Sequence, residues 1–159
     1  MREEILNFIE KNSRVDLKEV AVCLGITEID VANELAAMES EGIICGYHTL
    51  IDWDKVTEER IHALIEVRVT PQRGKGFDEI AERIYKYPEV ESVYLMSGGY
   101  DLLVMLEGKT LREVSTFVSE KLSTLESVLS TTTHFILKKY KDHGTILHQE
   151  YKDEREILS

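Results

Sequence analysis

The segment "SGGYD", residues 97–101, has the composition of a tight turn that could bind a small zwitterion. Two adjacent glycines, Gly98 and Gly99, let the chain turn sharply and bring bare backbone N–H groups close to a ligand. Those donors could hold a carboxylate, while Asp101, beside Tyr100, could pair with an ammonium group. The simpler interpretation is a hairpin turn that the aspartate stabilises. The residues alone leave both interpretations open.

A run of three threonines, residues 131–133, lies on a later β-prone segment and could add hydroxyl contacts to the same ligand. Thr132, the central one, is the candidate contact. The alternative is that all three are ordinary β-branched strand residues with no ligand.

A second candidate site is the segment "TEIDVANELAAMESEG", residues 27–42, which reads as a helix with both ends marked. Thr27 can cap its start, and Gly42 can adopt the left-handed conformation that ends it. It follows a short helix and a turn at Gly25, the position of the DNA-reading helix in a helix-turn-helix unit. Yet it contains no Lys or Arg. Its acidic residues are Glu28, Asp30, Glu34, Glu39 and Glu41.

Some readout of base pairs remains chemically feasible for this segment. Asn33 could pair bidentately with adenine, and Glu28 or Asp30 could accept a hydrogen bond from cytosine N4. Basic side chains nearby could contact phosphates, namely Arg14 and Lys18 together with Arg2 and Lys11. The candidate DNA-contacting residues are therefore Thr27, Glu28, Asp30, Asn33, Arg14 and Lys18.

The sequence carries no pattern typical of catalysis, of a cofactor or of a metal site. Its five histidines have no H-E-x-x-H or other ligand spacing, and neither G-x-S-x-G nor a phosphate loop occurs. Cys23 and Cys45 cannot make a zinc site alone, and their apolar neighbours predict buried, reduced thiols. We therefore expect no enzyme, cofactor or bound metal.

The composition is that of a globular protein, and its negative net charge disfavours non-specific binding to polyanions. The chain has 159 residues and a formal net charge of −11, and 43% of its residues are hydrophobic. No apolar run approaches the roughly 20 residues that span a bilayer, and the acidic N-terminus is unlike a signal peptide, so we expect a cytoplasmic protein with no membrane partner. Residues 1–52 hold four basic side chains against eleven acidic ones.

Hydrophobic periodicity predicts an α+β protein with two parts. Residues 1–43 read as three short helices, a helix-turn-helix domain, and residues 44–59 as a connecting strand and linker beginning in "GIICGYHTLIDW". Residues 60–143 read as β-α-β-β-α-β, the order of a ferredoxin-like sandwich with two helices on one face of a four-stranded sheet. The first strand, residues 61–70, alternates apolar with polar side chains, Thr110 caps a helix over residues 110–125, and the last strand spans residues 128–140. An apolar open face on that sheet predicts a partner subunit. Residues 144–159 form a charged tail.

The whole arrangement resembles the Lrp/AsnC family of prokaryotic transcriptional regulators over about residues 1–143. The resemblance rests on three segments in order: "ESEGIICGYHTLID", "SGGYDLLVML" and "THFILKKYKDHG". It implies dimers that pair through open sheet faces and often form tetramers or octamers. It also implies that an amino acid or similar metabolite binds between subunits and modulates assembly or DNA binding. The family's effector turn corresponds to Gly98, Gly99, Tyr100 and Asp101.

The third helix departs from the family pattern. Its apolar skeleton matches, but positions that are commonly basic in the family hold Asn33, Glu34, Ala36 and Ala37. The first hypothesis is therefore a regulator whose DNA binding is weak per subunit and depends on assembly. A second is a relative that senses amino acids or joins mixed oligomers without binding DNA. A third is an enzyme, since siroheme decarboxylases resemble this family in fold.

Overall fold

The computed structural model describes residues 1–56, 59–71, 73–74 and 76–147. The chain folds as two compact units, the first ending at Ile51 and the second beginning at Asp52. The first unit contains three helices: α1 (Arg2–Lys11), α2 (Leu17–Leu24) and α3 (Glu28–Ser40). Among the described residues, none of the helices has the length and apolar character needed to cross a membrane.

Local sequence signals set the ends of α2 and α3. The Asp16 carboxylate accepts a hydrogen bond from the Lys18 N–H at the start of α2, and Gly25 ends α2 at a φ of 66°. α3 then begins with a reciprocal capping box between Thr27 and Asp30, and Gly42 follows it at a φ of 72°. Glycine adopts this left-handed backbone conformation without the steric strain that a side chain would cause. The predicted helix ends are therefore confirmed.

The first unit has a small core of its own. Residues from all three helices are buried in it, and each helix contributes one apolar stripe. These fully buried residues are Ile5, Val20, Ala21, Val31 and Met38.

The second unit is an antiparallel sheet with helices against it. A short 3-10 turn (Trp53–Lys55) precedes β1 (Ile61–Val69), α4 (Asp78–Tyr85), β2 (Val90–Leu95) and β3 (Leu102–Gly108). Next come α5 (Leu111–Phe117), a π-helical turn (Val118–Leu122), β4 (Val128–Phe135) and a hairpin of β5 (Lys141–Asp142) with β6 (Thr145–Ile146). The four long strands lie in the order β2-β3-β1-β4.

Strict alternation along the central strands separates the two faces of this sheet. Ala63, Ile65 and Val67 of β1 are buried, as are Leu102 and Val104 of β3, and they pack with α4 and α5 in one core. The intervening residues lie on the other face, because successive strand side chains point to opposite sides. The α+β class and the β-α-β-β-α-β order are confirmed.

The open face of the sheet carries apolar and polar side chains together. Its cross-strand pairs place Leu64 opposite Met105 and Leu103 opposite both Glu66 and Tyr94. Charged and polar side chains therefore share this face with an apolar strip. They include His62, Glu66, Arg68, Glu107, Thr132 and His134.

Two local predictions are wrong, and a third is right only in part. The strand predicted from "GIICGYHTLIDW", residues 42–53, does not form, because a β-prone segment needs a neighbouring strand and none pairs with it in the described chain. Cys23 and Cys45 are exposed rather than buried. The helix predicted for 110–125 gives way after Phe117 to a π-helical turn, where the Ser123 N–H reaches back to the Val118 carbonyl at 2.8 Å.

The end of the chain also differs from prediction. The last long strand ends at Phe135 instead of continuing to residue 140, and a short hairpin follows it. Most of the predicted charged tail, from residue 148 onward, lies outside the described residues.

Candidate functional site

One stripe of the solvent-exposed surface of α3 carries no charge, although the exposed carboxylates Glu28, Asp30 and Glu39 lie to either side of it. Ile29, Ala32, Asn33 and Ala36 are all exposed and fall at helical spacings of three and four, so they form one stripe. Ile29 is 71% exposed despite being a large apolar side chain. The acidity of this helix therefore lies elsewhere on its surface.

Arg2 of α1 binds two carboxylates, one within α3 and one on the residue that follows its last turn. Its Nε donates to Glu34 Oε2 at 2.7 Å, and its terminal nitrogens donate to both oxygens of Glu41 at 2.7 and 3.1 Å. Hydrogen bonds from Arg2 hold the pKa of Glu41 below its usual range, and the two glutamates in turn raise the pKa of Arg2. The sequence suggested that Arg2 could contact a phosphate. In the structure its guanidinium group instead pairs with Glu34 and Glu41 of its own unit.

Two further carboxylates also have partners within the first unit. Asp30 accepts from the Thr27 hydroxyl at 2.7 Å and from the Thr27 N–H at 3.1 Å, and these bonds lower the pKa of Asp30. The Tyr47 hydroxyl donates to Glu39 Oε1 at 2.7 Å, which raises the pKa of Tyr47. Of the acidic residues of α3, Glu28 is exposed in the first turn, where the helix dipole favours negative charge.

The basic candidates lie on and before α2. Arg14 precedes the helix and Lys18 is in its first turn, and both side chains are exposed, as is that of Lys11 at the end of α1. The first unit therefore offers three exposed cations and one uncharged helix face. Thr27 and Asp30, which were candidate DNA contacts, bind each other at the start of α3.

In the second unit, Asp101 ties the turn between β2 and β3 to the end of β1. Its Oδ2 accepts from the Val69 N–H at 2.9 Å, and its own N–H donates to the Val67 carbonyl at 3.0 Å. The Asp101 carbonyl accepts from the Met96 N–H at 2.8 Å, which closes the turn. This geometry gives Asp101 the stabilising role that the simpler interpretation assigned to it, in a half-buried position.

Arg68 is a cation at this turn that sequence reasoning missed as a site residue. Its Nε donates to the Gly99 carbonyl at 2.8 Å, and its side chain is exposed on the open face of the sheet. Gly98 has a φ of 135°, a conformation that L side chains rarely adopt. The alternation of β1 placed Arg68 on the polar face, but the proximity of this strand end to the turn could not be read from spacing.

Thr132 lies apart from the turn. It is exposed on β4 opposite Glu66 of β1, and β1 separates it from β3. The structure thus gathers Gly98, Gly99, Tyr100 and Asp101 with Arg68, whereas Thr132 belongs to a neighbouring strip of the open face, beside the pair of His134 Nε2 and Glu66 Oε1 at 3.3 Å.

A second polar cluster lies at the other end of β1. One ligand atom each of His62, Glu91 and Glu107 falls within 4.8 Å of the others, so these three residues could hold a divalent cation. Arg60 already binds Glu107 Oε1 at 2.8 Å and lies 3.5 Å from the centroid of the Trp53 ring. Sequence spacing missed this cluster because its members come from three different strands.

A cavity of about 580 Å³ opens between β3 and α5. Its lining is mixed, since Lys121 binds Glu89 Oε1 at 2.7 Å beside Leu106 and Phe117. The hydrogen bond from Lys121 lowers the pKa of Glu89. None of the sequence-based candidate residues lines this cavity.

Comparisons with known proteins place the chain among transcriptional regulators. The family model described as the Lrp/AsnC ligand binding domain matches residues 62–146. The chain is 52% identical to the HTH-type transcriptional regulator YugG of Bacillus subtilis, over 98% of this chain and 95% of that protein. It is 30% identical to the proline dehydrogenase transcriptional activator of Rhodobacter capsulatus, over 84% and 86% of the two chains.

A solved structure has the same fold over both units. It is a transcriptional regulator of Neisseria meningitidis in complex with L-Met, which is 24% identical and superimposes with a TM-score of 0.70 over 91% of this chain and 93% of that one.

Replacement of Arg2 by methionine should destabilise the first unit in a pH-dependent way. Because Arg2 lowers the pKa of Glu41, its contribution is present above the ordinary carboxyl pKa of about 4.3 and is lost as the pH falls through the lowered value. The urea midpoint of Arg2→Met should therefore fall below that of the unmodified chain near pH 7, and the two midpoints should converge as Glu41 becomes protonated in acid. Lys11→Met, which removes the same charge from α1, is the control and should show no such convergence.

Removal of the Asp101 carboxylate should weaken the second unit. Asp101→Ala leaves the Val69 N–H without its acceptor, which costs about 1–3 kcal/mol when the group is sheltered from water. Asp101→Asn keeps an oxygen that can accept this bond and should cost less. Urea unfolding followed by Trp53 fluorescence measures both, and equal stability of Asp101→Ala and the unmodified chain would contradict this role.

Proposed function

This chain belongs to the Lrp/AsnC family of transcriptional regulators, and from that premise we propose that it binds promoter DNA as an oligomer under the control of an amino acid or a similar metabolite. The first unit supplies the DNA contacts, and the second unit binds the effector and joins the subunits. A protein with this role acts in the cytoplasm, where the chromosome lies.

The observation that carries the proposal is the exposed, uncharged stripe of α3. A helix that presented five free carboxylates to DNA phosphates would be repelled from them. In this unit Arg2 binds Glu34 and Glu41, and Asp30 and Glu39 have neutral hydroxyl partners. The uncharged stripe between the remaining carboxylates Glu28, Asp30 and Glu39 is the part of α3 that can approach base edges.

Electrostatic attraction remains weak for each subunit. The exposed cations Lys11, Arg14 and Lys18 are three phosphate contacts at most, because Arg2 is engaged with its glutamates. A dimer doubles these contacts, and linking two binding units raises affinity through effective concentration. Binding that depends on assembly follows from this small number of anchors.

The turn between β2 and β3 is the proposed effector site. An amino acid carboxylate would be drawn to Arg68 and to the N–H groups at Gly98 and Gly99, and its ammonium group to Asp101. A regulator of the same fold was solved with L-Met, and a similar protein is named as an activator of proline dehydrogenase, which both fit an amino acid effector. Thr132 would contribute only through a larger ligand or through another subunit.

The open face of the sheet is the proposed dimer surface. Its strip of Leu64, Leu103, Met105 and Tyr94 is apolar, whereas the charged pair Glu66–His134 lies beside the strip. Burial of this strip by a second copy removes apolar area from water, while the flanking charges fix how the copies align.

The charge of residues 1–52, four basic against eleven acidic side chains, favours a second candidate. In it, the chain does not bind DNA by itself and instead joins oligomers with a more basic relative. The two candidates differ in whether the purified chain binds DNA alone.

Fluorescence anisotropy of the purified chain with the DNA fragment immediately upstream of its own gene tests the proposal. Six exposed cations in a dimer should give a slope of log K against log salt no steeper than about −5 between about 25 and 200 mM salt. Lys18→Ala should lower affinity and reduce the slope by about two, one per subunit. A scrambled fragment of equal length and composition is the control.

The same assay tests the effector site. A mixture of amino acids should shift the binding midpoint of the unmodified chain, and Asp101→Asn should remove that shift because it lacks the charge for the ammonium group. Absence of saturable binding at the lowest salt would contradict DNA binding by the chain alone. It would leave the mixed oligomer as the function to pursue.

A further inference from the structure

The exposed stripe of α3 is made of methyl groups around one amide. Ile29, Ala32 and Ala36 present aliphatic carbon to solvent, and Asn33 lies between them on the same face of the helix. An exposed isoleucine in the first turn contributes nothing to the core of its own unit, which is built from other residues. The stripe therefore has the composition of a contact surface without a partner in this chain.

The chemistry of this stripe matches one kind of base pair. In the major groove thymine presents a C5-methyl group that packs against apolar side chains, and adenine presents N6 and N7, which pair bidentately with asparagine. Guanine is read mainly by Arg or Lys, and α3 contains neither residue. The uncharged stripe thus fits A·T pairs and offers no basic donor for guanine.

We propose that α3 recognises a short run of A·T pairs, with Asn33 on an adenine and with Ile29, Ala32 and Ala36 against the methyl groups of neighbouring thymines. This inference rests on the proposed function, since it concerns which DNA the first unit selects. It assigns sequence preference to apolar contact and leaves the few cations, including Arg14 and Lys18, to position the helix on the phosphates.

Apolar contact explains how the unit can select a sequence despite its charge. Burial of one methyl group changes the DNA-binding constant about fourfold, and this contribution does not depend on counterion release. Arg2 contributes indirectly, because it holds Glu34 and Glu41 to the α1 side and keeps them from the stripe. Selectivity should therefore persist at salt concentrations that weaken the phosphate contacts.

Replacement of thymine by uracil tests the inference directly, because it deletes only the C5-methyl group. The fragment upstream of the gene is amplified once with dTTP and once with dUTP, and the affinity of the full chain for each is measured by anisotropy. We expect the uracil fragment to bind at least about fifteenfold more weakly, the product of two or more lost methyl contacts at about fourfold each, with an unchanged salt slope.

Two variants separate methyl contact from altered DNA shape. Ile29→Ala shortens an exposed side chain and should reduce the ratio of thymine to uracil affinity, whereas an effect of DNA shape would leave that ratio unchanged. Lys18→Ala should weaken binding to both fragments equally. Circular dichroism confirms that each variant is folded, and the comparison of the two fragments with the unmodified chain needs no variant at all.

Each outcome has one meaning. Weaker binding of the uracil fragment, with a smaller difference for Ile29→Ala, supports reading of thymine methyl groups. Equal binding of both fragments by the unmodified chain, or a ratio that Ile29→Ala leaves unchanged, overturns this inference and leaves the proposed function standing. Failure to bind either fragment at low salt overturns the proposed function and the inference together.

Discussion

A single guanidinium group joins the first helix of the chain to the third. Arg2 donates to Glu34 and to both oxygens of Glu41, so one side chain fixes α1 against α3 and neutralises two of the carboxylates that make this unit acidic. Each exposed ion pair contributes little free energy alone, but a bidentate geometry with two partners orients the side chains it joins. Arg2 thus pairs two of the carboxylates that lie outside the uncharged stripe of α3.

The second unit uses a carboxylate in a comparable way. Asp101 accepts the Val69 N–H at the end of β1, and Arg68 from the same strand donates to the Gly99 carbonyl. The turn and the strand end are therefore one connected set of hydrogen bonds, and β1 lies between β3 and β4. A ligand that competed for Arg68 or Asp101 would act on the central strand and, through it, on the open face proposed to join subunits.

Local chemistry made much of this fold predictable. The caps at Thr27 and Thr110, the glycine at Gly42 and the alternation of β1 each depend on residues a few positions apart, and each appears where the sequence placed it. These signals depend on backbone hydrogen bonds and on which side of a strand faces the core, and neither needs knowledge of distant partners.

The features missed from the sequence are those that depend on distant residues. Arg2 and Glu34 are 32 positions apart, as are Val69 and Asp101, and no periodicity connects them. The cluster of His62, Glu91 and Glu107 likewise forms only when three strands meet. The strand predicted for residues 42–53 is wrong because β propensity shows that a residue fits a sheet but does not identify the strand that would pair with it. Site chemistry therefore needed the fold before it could be assigned.

A nitrogen–proton correlation spectrum of the full chain, recorded with and without the DNA fragment upstream of its gene, tests the role of α3 most directly. Amide shifts should change along the uncharged stripe of α3, at Ile29, Ala32, Asn33 and Ala36. The Arg2 Nε–H signal should stay where it is, because Arg2 keeps its glutamates in the complex. Movement of the Arg2 signal on binding, or unchanged amides along α3, would contradict this role.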